Sequence, residues 1–198
     1  MLKIRNALKE ESKKFSELII TSAMYFHLLF SEKIETALQN FFYDCCNLFS
    51  YRHVLTAEYN GEVAGMILGY GFPDKKKENL RTGFLMFKYL GWVMLEKFPV
   101  LLRFNGSVGA LRKGEFYISN VAVYKRFRGL GIGKALMNKA ESRAKMSGAD
   151  YAVLDVEAEN NVAINLYKKL GYRAVKSATI LLTKNRILRF LRMKKPLL

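Results

Sequence analysis

The chain has 198 residues, of which 33 are lysine or arginine and 17 are acidic, so its formal net charge is +16. This length suits one domain with a sizeable core, and we expect residues 1–198 to form a single domain. A hydrophobic fraction of 51% and only 3 prolines exclude a largely disordered chain. The positive charge favours anionic ligands, nucleic acid or anionic lipid, and does not choose among them.

Cys45 and Cys46 are adjacent, which is too close for an unstrained disulfide and lacks the spacing of a metal site. They are typical of reduced thiols, so we expect a cytoplasmic protein. Residues 1–6 lack the apolar core and cleavage site of a signal peptide. The longest apolar stretch, 84–102, is interrupted by charges and a proline, so we expect no transmembrane segment.

Hydrophobic periodicity in the first half predicts a strand, two helices and a hairpin. These elements are strand Leu2–Asn6, helix Lys9–Ser22, helix Glu32–Phe42 and the hairpin strands Val54–Tyr59 and Glu62–Tyr70. The hairpin signal is sharp, because Asn60-Gly61 tolerates the positive φ angles of a tight I′ turn. Residues 73–113 then show helical periodicity, with nine basic and three acidic residues, and predict a helical insertion.

The second half predicts the order βαβαββ. Its elements are strand Glu115–Val123, helix Ile132–Met146 before Gly148, strand Tyr151–Val156, helix Asn161–Leu170 between Asn160 and Gly171, and strands near Tyr172–Leu182 and Ile187–Met193. Asparagine suits the N-cap of a helix, and glycine suits the position after its end. Alternation of strands and helices indicates an α/β protein.

A glycine-rich turn, Arg-Gly-Leu-Gly-Ile-Gly-Lys at 128–134, joins an apolar strand to an amphipathic helix. Its glycines stand at alternate positions, so successive N–H groups can approach an anion at the positive end of the helix. A Walker loop requires Ser or Thr after the lysine, and Ala135 follows Lys134. A dinucleotide fingerprint counted from Gly129 places Lys134 where its last glycine should be. The turn predicts a pyrophosphate site of another kind.

The spacing that does match is Arg-x-x-Gly-x-Gly, at 128–133. It resembles the acyl-coenzyme A signature of the GNAT superfamily of N-acetyltransferases. Residues 160–172 are similar to a second element of that superfamily, Asn-x-x-Ala followed by Leu-Tyr and Gly-Phe/Tyr, at the expected distance. The resemblance covers roughly residues 115–175, and 73–113 lie outside any general family pattern.

The resemblance implies a mixed, mostly antiparallel central sheet of about seven strands flanked by helices, with the insertion before the fourth strand. It also implies an N-acetyltransferase in which a primary amine attacks acetyl-coenzyme A directly in a ternary complex, without a metal. The cofactor-binding residues implied in this way are Val121, Ala122, Val123, Arg128, Gly129, Leu130, Gly131, Ile132, Gly133, Lys134, Asn160 and Tyr167. Backbone N–H groups of 128–134 would hold the pyrophosphate, and those of 121–123 would run beside the pantetheine arm.

Two residues are the candidates for acid–base chemistry. By resemblance Tyr167 donates a proton to the departing thiolate, and the alternative is an aromatic ring that packs on a helix face. Strand alternation places Asp155 and Glu157 on one side of the fifth strand, and Glu115 begins the preceding strand. We favour Glu157 as the general base, and the alternative for each carboxylate is a solvated or ion-paired group. Asn160 can contact the coenzyme, cap its helix, or do both.

His27 and His53 have no metal-ligand neighbours in the sequence, so no metal is expected. Part of the positive charge surrounds the glycine turn, at Lys125, Arg126, Arg128, Lys134 and Lys139. Residues 173–198 carry eight basic residues and no acidic one. A basic acceptor side would favour an amine on an acidic or phosphorylated body, and the alternative is a solvated surface.

The expected partner is therefore a small-molecule or peptide amine, and no nucleic acid is expected. A noncatalytic acyl-coenzyme A sensor is one alternative function, and it would not need Tyr167. A protein that binds nucleic acid or a membrane surface is another, based on the net charge and on residues 84–102 with Trp92. The sequence does not specify an oligomeric state, and a homodimer would rest on analogy alone.

Overall fold

The computed structural model describes residues 1–23, 25–30, 32–183 and 186–197. In that part of the chain, seven strands form one sheet, and helices cover both faces. The strands are β1 Leu2–Asn6, β2 Val54–Tyr59, β3 Glu62–Gly71, β4 Glu115–Val123, β5 Tyr151–Glu157, β6 Arg173–Thr183 and β7 Arg186–Pro196. The helices are α1 Ser12–Ser22, α2 Tyr25–Phe30, α3 Lys33–Tyr43, α4 Phe72–Leu90, α5 Val93–Ser107, α6 Ile132–Met146 and α7 Asn161–Lys169.

The strand order in the sheet is β1-β2-β3-β4-β5-β7-β6. Neighbouring strands are antiparallel, except that β4 and β5 run parallel. The parallel pair requires a crossover, which the glycine turn and α6 supply. The predicted fold class, a mostly antiparallel sheet flanked by helices, is confirmed.

The two faces of the sheet carry different helices. Helices α1 to α5 pack with Met66 and Leu68 of β3 in one core cluster. Helices α6 and α7 pack with Ile67, between those two residues, in the cluster on the other face. This alternation is the period of two expected for a strand buried on both sides.

Most predicted elements agree with the structure to within one or two residues. The hairpin turn has positive φ at both central positions, 51° at Asn60 and 84° at Gly61, as an I′ turn requires. The predicted helical segment 73–113 contains two helices, and α4 ends at Leu90, followed by Gly91, whose φ is 58°. In the described residues no helix has the length and apolarity that a membrane crossing requires.

Two features of the N-terminal half differ from the prediction. Residues Lys9–Glu11 form a 3₁₀ turn before α1, because the Glu11 carboxylate accepts hydrogen bonds from Leu8 N and Arg5. The short helix Tyr25–Phe30 was not predicted. Its sequence is almost entirely apolar, so it lacks the polar face that reveals helical periodicity.

Candidate active site

A split in the sheet forms the candidate site. The parallel ladder between β4 and β5 begins at Glu115 and Tyr151 and ends at Ile118 and Leu154. Both strands continue beyond that last pair. Strand β4 stays paired with β3 as far as Val123, and β5 stays paired with β7 as far as Glu157. A bulge in the β3–β4 register after Ile118 accompanies the separation. The edge of β4 that no longer pairs with β5 therefore faces a cleft.

The cleft has a volume of about 550 Å³. Residues from the two diverging strands, the glycine turn, α7 and the end of α1 line it. The lining includes Ser22, Tyr25, Ser119, Asn120, Val121, Ala122, Val123, Arg128, Gly129, Gly131, Ile132, Gly133, Lys134, Asp155, Glu157, Asn160, Ala163, Leu166, Tyr167 and Phe190. A cavity of this size with polar groups at both ends is typical of a small-molecule or cofactor site.

At one end of the cleft lies the glycine turn. Gly129 and Gly131 have φ angles of 84° and 76°, which favour glycine, and Gly131 is the N-cap of α6. An ideal Cβ on either of them would meet no heavy atom within 4 Å, so the backbone borders open space. The Arg128 guanidinium donates from Nε to the Val123 carbonyl at 3.2 Å, which holds the turn against the end of β4. The turn is therefore shaped to present N–H groups and a cation to an anion.

Helix α7 supplies the opposite wall at this end. The Asn160 side chain accepts a hydrogen bond from Ala163 N at 3.1 Å, so it caps the helix as its sequence predicts. Tyr167 lies two helical turns after that cap, buried among the core residues yet lining the cleft. Its ring packs at a tilt against Tyr172, with centroids 6.0 Å apart. Burial raises the pKa of Tyr167 to about 12, so its phenol stays protonated at neutral pH.

Asp155 binds several groups at the other end of the cleft. Its Oδ2 accepts hydrogen bonds from Gly109 N at 2.8 Å and from the Tyr117 hydroxyl at 3.1 Å. Arg192 of β7 approaches the same oxygen at 3.4 Å, and the side chain of Asp155 is only 2% exposed. Burial raises the pKa of this carboxyl against the opposing effect of these donors. Asp155 therefore connects the segment after α5 to β4, β5 and β7.

Glu157, two residues further along β5, lines the same wall and is half-buried. Burial, together with the neighbouring Glu159 carboxylate, raises its pKa above the ordinary value. A raised pKa makes the ionised carboxylate a stronger base, which suits the role predicted for it. The Tyr25 ring also borders this end, and burial, Glu157 and Asp155 raise the pKa of its phenol.

Glu115, the third carboxylate considered from the sequence, is placed elsewhere. Its oxygens lie 2.9 Å from Lys194 Nζ and 3.7 Å from Arg192 Nη2. Burial opposes its ionisation, but the hydrogen bonds from Lys194 and the Arg112 N–H hold the pKa of Glu115 below its ordinary value. It borders a second cavity of about 410 Å³ with basic residues of β6 and β7. It does not line the cleft.

The structure brings the predicted site residues together, with one exception. The exception is Leu130, which is half exposed and does not line the cleft. All other predicted cofactor-binding residues line it, and so do the two predicted catalytic residues, Tyr167 and Glu157. Sequence analysis missed Tyr25, Ser119 and Asn120, and also Phe190 from the C-terminal hairpin. Ser119 and Asn120 could have been found as the polar break in an otherwise apolar strand. Phe190 gives no such signal, because its place depends on the pairing of β7 with β5.

The cysteines and the buried histidine lie away from the cleft. Cys45 and Cys46 are free thiols with sulfurs 3.4 Å apart. His53 is buried, and its Nε2 lies 2.8 Å from Glu78 of α4, a partner that the sequence spacing did not reveal. Within the described ranges, no three His, Cys, Asp or Glu side chains are grouped as a metal ion would require.

The split sheet and the glycine turn thus define an α/β protein with a cleft suited to an extended ligand that has an anionic end. A protein-family model described as "Acetyltransferase (GNAT) family" matches residues 21–172 of this chain. The chain therefore belongs to the GNAT family of acetyltransferases, and the resemblance stated from the motifs is confirmed. Acetyltransferases of this family use acetyl-coenzyme A.

One curated relative is the N-alpha-acetyltransferase of Sulfurisphaera tokodaii, 33% identical over 121 residues. The match covers 61% of this chain and 58% of that protein. A solved structure of an acetyltransferase is similar with a TM-score of 0.68 and 24% identity, covering 99% of this chain and 100% of its own. The structure of yncA from Salmonella typhimurium with its cofactor acetyl-CoA has a TM-score of 0.60 at 18% identity, covering 99% of this chain and 94% of that one. Both structures support the fold.

Proposed function

We propose that this chain transfers the acetyl group of acetyl-coenzyme A to a primary amine in the cleft between β4 and β5. The observation that carries the proposal is the arrangement of the cleft. An anion-binding turn lies at one end, a free strand edge runs along it, and a buried tyrosine and a carboxylate, Tyr167 and Glu157, lie on its walls. Those are the parts that acyl transfer from a long anionic thioester requires.

The residues present fit the coenzyme. The N–H groups from Arg128 to Lys134 would receive the pyrophosphate at the start of α6, where the helix dipole adds roughly 0.3 to 1 kcal/mol. Arg128 and Lys134 are the basic residues that line this end. The edge of β4 from Val121 to Val123 would lie along the pantetheine arm, with one N–H directed at the thioester carbonyl. Asn160 would contact the coenzyme while it caps α7.

The chemical step needs an acid and a base. The amine nitrogen attacks the thioester carbon, the C–N bond forms, and the C–S bond breaks. Glu157 would accept the amine's proton, directly or through water, and Tyr167 would give its proton to the departing thiolate. The raised pKa of Glu157 makes its carboxylate a stronger base, and the pKa of Tyr167, about 12, keeps its phenol protonated until the thiolate forms. A sensor that only bound the coenzyme would need neither group.

The acceptor end of the cleft is acidic rather than basic. Its charged lining residues are Asp155 and Glu157, and in the described part of 173–198 the cleft is lined by Phe190 alone. The basic side chains Lys176, Arg192 and Lys194 border the second cavity instead. Lys184 lies outside the described residues. The expectation of an amine on an acidic body therefore gains no support from the cleft lining, and we propose a small amine or a peptide amine without that requirement.

A panel of amines tests the proposal. The full chain would be incubated with isotopically labelled acetyl-coenzyme A and with small amines, peptides with free N-termini and lysine peptides, and label transfer would be measured by mass spectrometry. Detection of free thiol is less suitable, because Cys45 and Cys46 also react with thiol reagents. We expect acetylation of at least one amine class. Tight coenzyme binding without transfer to any class would favour the sensor.

A further inference from the structure

Helices α4 and α5, together with the turn between them, carry large apolar side chains that are exposed. We name this set the apolar stripe, and its members are between 48% and 86% exposed: Leu80, Phe84, Phe87, Trp92 and Leu95. The three on α4 are spaced four and three residues apart, so they share one face of the helix. The opposite face of α4 is buried through Leu85 and Leu90. The core therefore uses one apolar face of α4 and leaves a second one exposed.

Three exposed lysines of α4, the lysine rim, flank the stripe: Lys76, Lys77 and Lys88. The acids of the same helix are half-buried and have partners, since Asp74 accepts from Gly71 N at 3.1 Å and Glu78 lies 2.8 Å from His53. Glu96 on α5 is an exposed acid near the stripe. The exposed face of α4 is thus apolar from Leu80 to Phe87 and carries lysines before and after that row.

We propose that this face binds the surface of an anionic phospholipid bilayer. The stripe would enter the headgroup region, where aromatic side chains such as Trp92 are favoured, and the lysine rim would meet the lipid phosphates. An apolar row bordered by lysines is the pattern of a helix that lies in the membrane interface. A net charge of +16 adds long-range attraction to such a surface. The chain would then act beside a membrane without crossing it.

Other occupants fit this face less well. A two-fold dimer through the stripe would place the lysine rim of one copy near that of the other, and like charges oppose such a contact. Single-stranded nucleic acid would use the aromatic rings for stacking but would gain little from Leu80 and Leu95. An anionic bilayer matches both the apolar side chains and the charge.

Trp92 makes the proposal directly measurable, because it is the one tryptophan of the sequence and is 79% exposed. The full chain would be mixed with vesicles of phosphatidylcholine alone or of phosphatidylcholine with phosphatidylglycerol. We expect a blue shift of the tryptophan emission, and quenching by brominated lipid, with the anionic vesicles only. The double variant Lys76→Glu/Lys77→Glu should lower the partition coefficient by about tenfold or more. Phe84→Ser/Phe87→Ser should abolish the blue shift.

Matched variants control for general effects on charge and surface. Lys168→Glu/Lys169→Glu reverses the same charge on exposed residues of α7, and Met146→Ser removes an exposed apolar side chain of α6. Both should bind vesicles like the wild type. Equal binding to neutral and anionic vesicles, binding lost equally in the α7 control, or an unshifted tryptophan emission would overturn the proposal. So would a concentration-dependent dimer that Phe84→Ser dissociates, or a blue shift with single-stranded DNA and none with vesicles.

Discussion

Ile118 of β4 and Leu154 of β5 form the last pair of the parallel ladder between their strands. Beyond this pair the strands diverge, and their next residues, Ser119 and Asp155, lie on opposite walls of the cleft. A parallel pair that continued to the ends of both strands would close this space with backbone hydrogen bonds and leave no free strand edge. The position at which pairing stops therefore decides where the proposed coenzyme and amine meet.

Replacing Tyr167 by phenylalanine should separate its chemistry from its packing. The phenylalanine ring keeps the contacts of the buried tyrosine and removes the proton donor. We expect kcat to fall by about a hundredfold or more, with little change in the KM for acetyl-coenzyme A. Tyr172→Phe is the control, because Tyr172 is buried beside Tyr167 and lies outside the cleft lining. Equal rates for wild type and Tyr167→Phe would refute the proton-donor role.

The pH profile tests Glu157 as the base. Burial and Glu159 raise the pKa of Glu157, so the wild-type kcat/KM should fall with decreasing pH at a pH above the ordinary value of 4.5. Glu157→Gln should lower kcat by about a hundredfold and remove this acid limb. Glu159→Gln removes a neighbouring negative charge and should shift the limb to lower pH at an unchanged maximum rate. An unaltered pH profile in Glu157→Gln would exclude the assignment.

Two substitutions at Asn160 distinguish its two roles. Asn160→Ala removes the acceptor for Ala163 N and should lower the free energy of unfolding by about 1 kcal/mol in denaturant titrations. Asn160→Asp keeps a capping oxygen and adds a negative charge to the cleft, so stability should be retained while the KM for acetyl-coenzyme A rises several-fold. If Asn160→Asp binds the coenzyme as the wild type does, the role of this residue is limited to the cap.

Glu11 provides a stability prediction with a defined pH dependence. Its buried carboxylate binds Arg5 at 2.7 Å and Thr56 at 2.9 Å, and these donors hold its pKa below the ordinary value although burial opposes them. Glu11→Gln should cost about 1 to 3 kcal/mol at neutral pH. The loss should shrink as pH falls through the folded pKa, because the wild-type carboxylate is then protonated as well. The exposed Glu10→Gln should change stability little, and a pH-independent loss in Glu11→Gln would contradict this explanation.

The sequence predicted local features of the fold and site well. Asn60-Gly61, the glycine turn and the cap at Asn160 each act through neighbouring backbone, so a few consecutive residues specify them. The sequence did not predict the arrangement of the acceptor end of the cleft, because that arrangement depends on contacts between residues that are distant in sequence. Asp155 is bound by Gly109, 46 residues away, and no local pattern predicts that contact. The expectation of a basic acceptor side failed for the same reason, because a count of charged residues does not tell which cavity their side chains border.

Calorimetric titration of acetyl-coenzyme A into the wild type and Gly133→Val is the most direct test of the cleft as a coenzyme site. A Cβ at Gly133 would lie 3.4 Å from Leu166 Cδ2, so valine branches into the space between α6 and α7. Gly83→Val, on an exposed and open helix position, is the matched control. We predict saturable binding in wild type and Gly83→Val, and affinity at least about tenfold weaker in Gly133→Val. No binding by the wild type, or equal affinity in Gly133→Val, would contradict the proposed site.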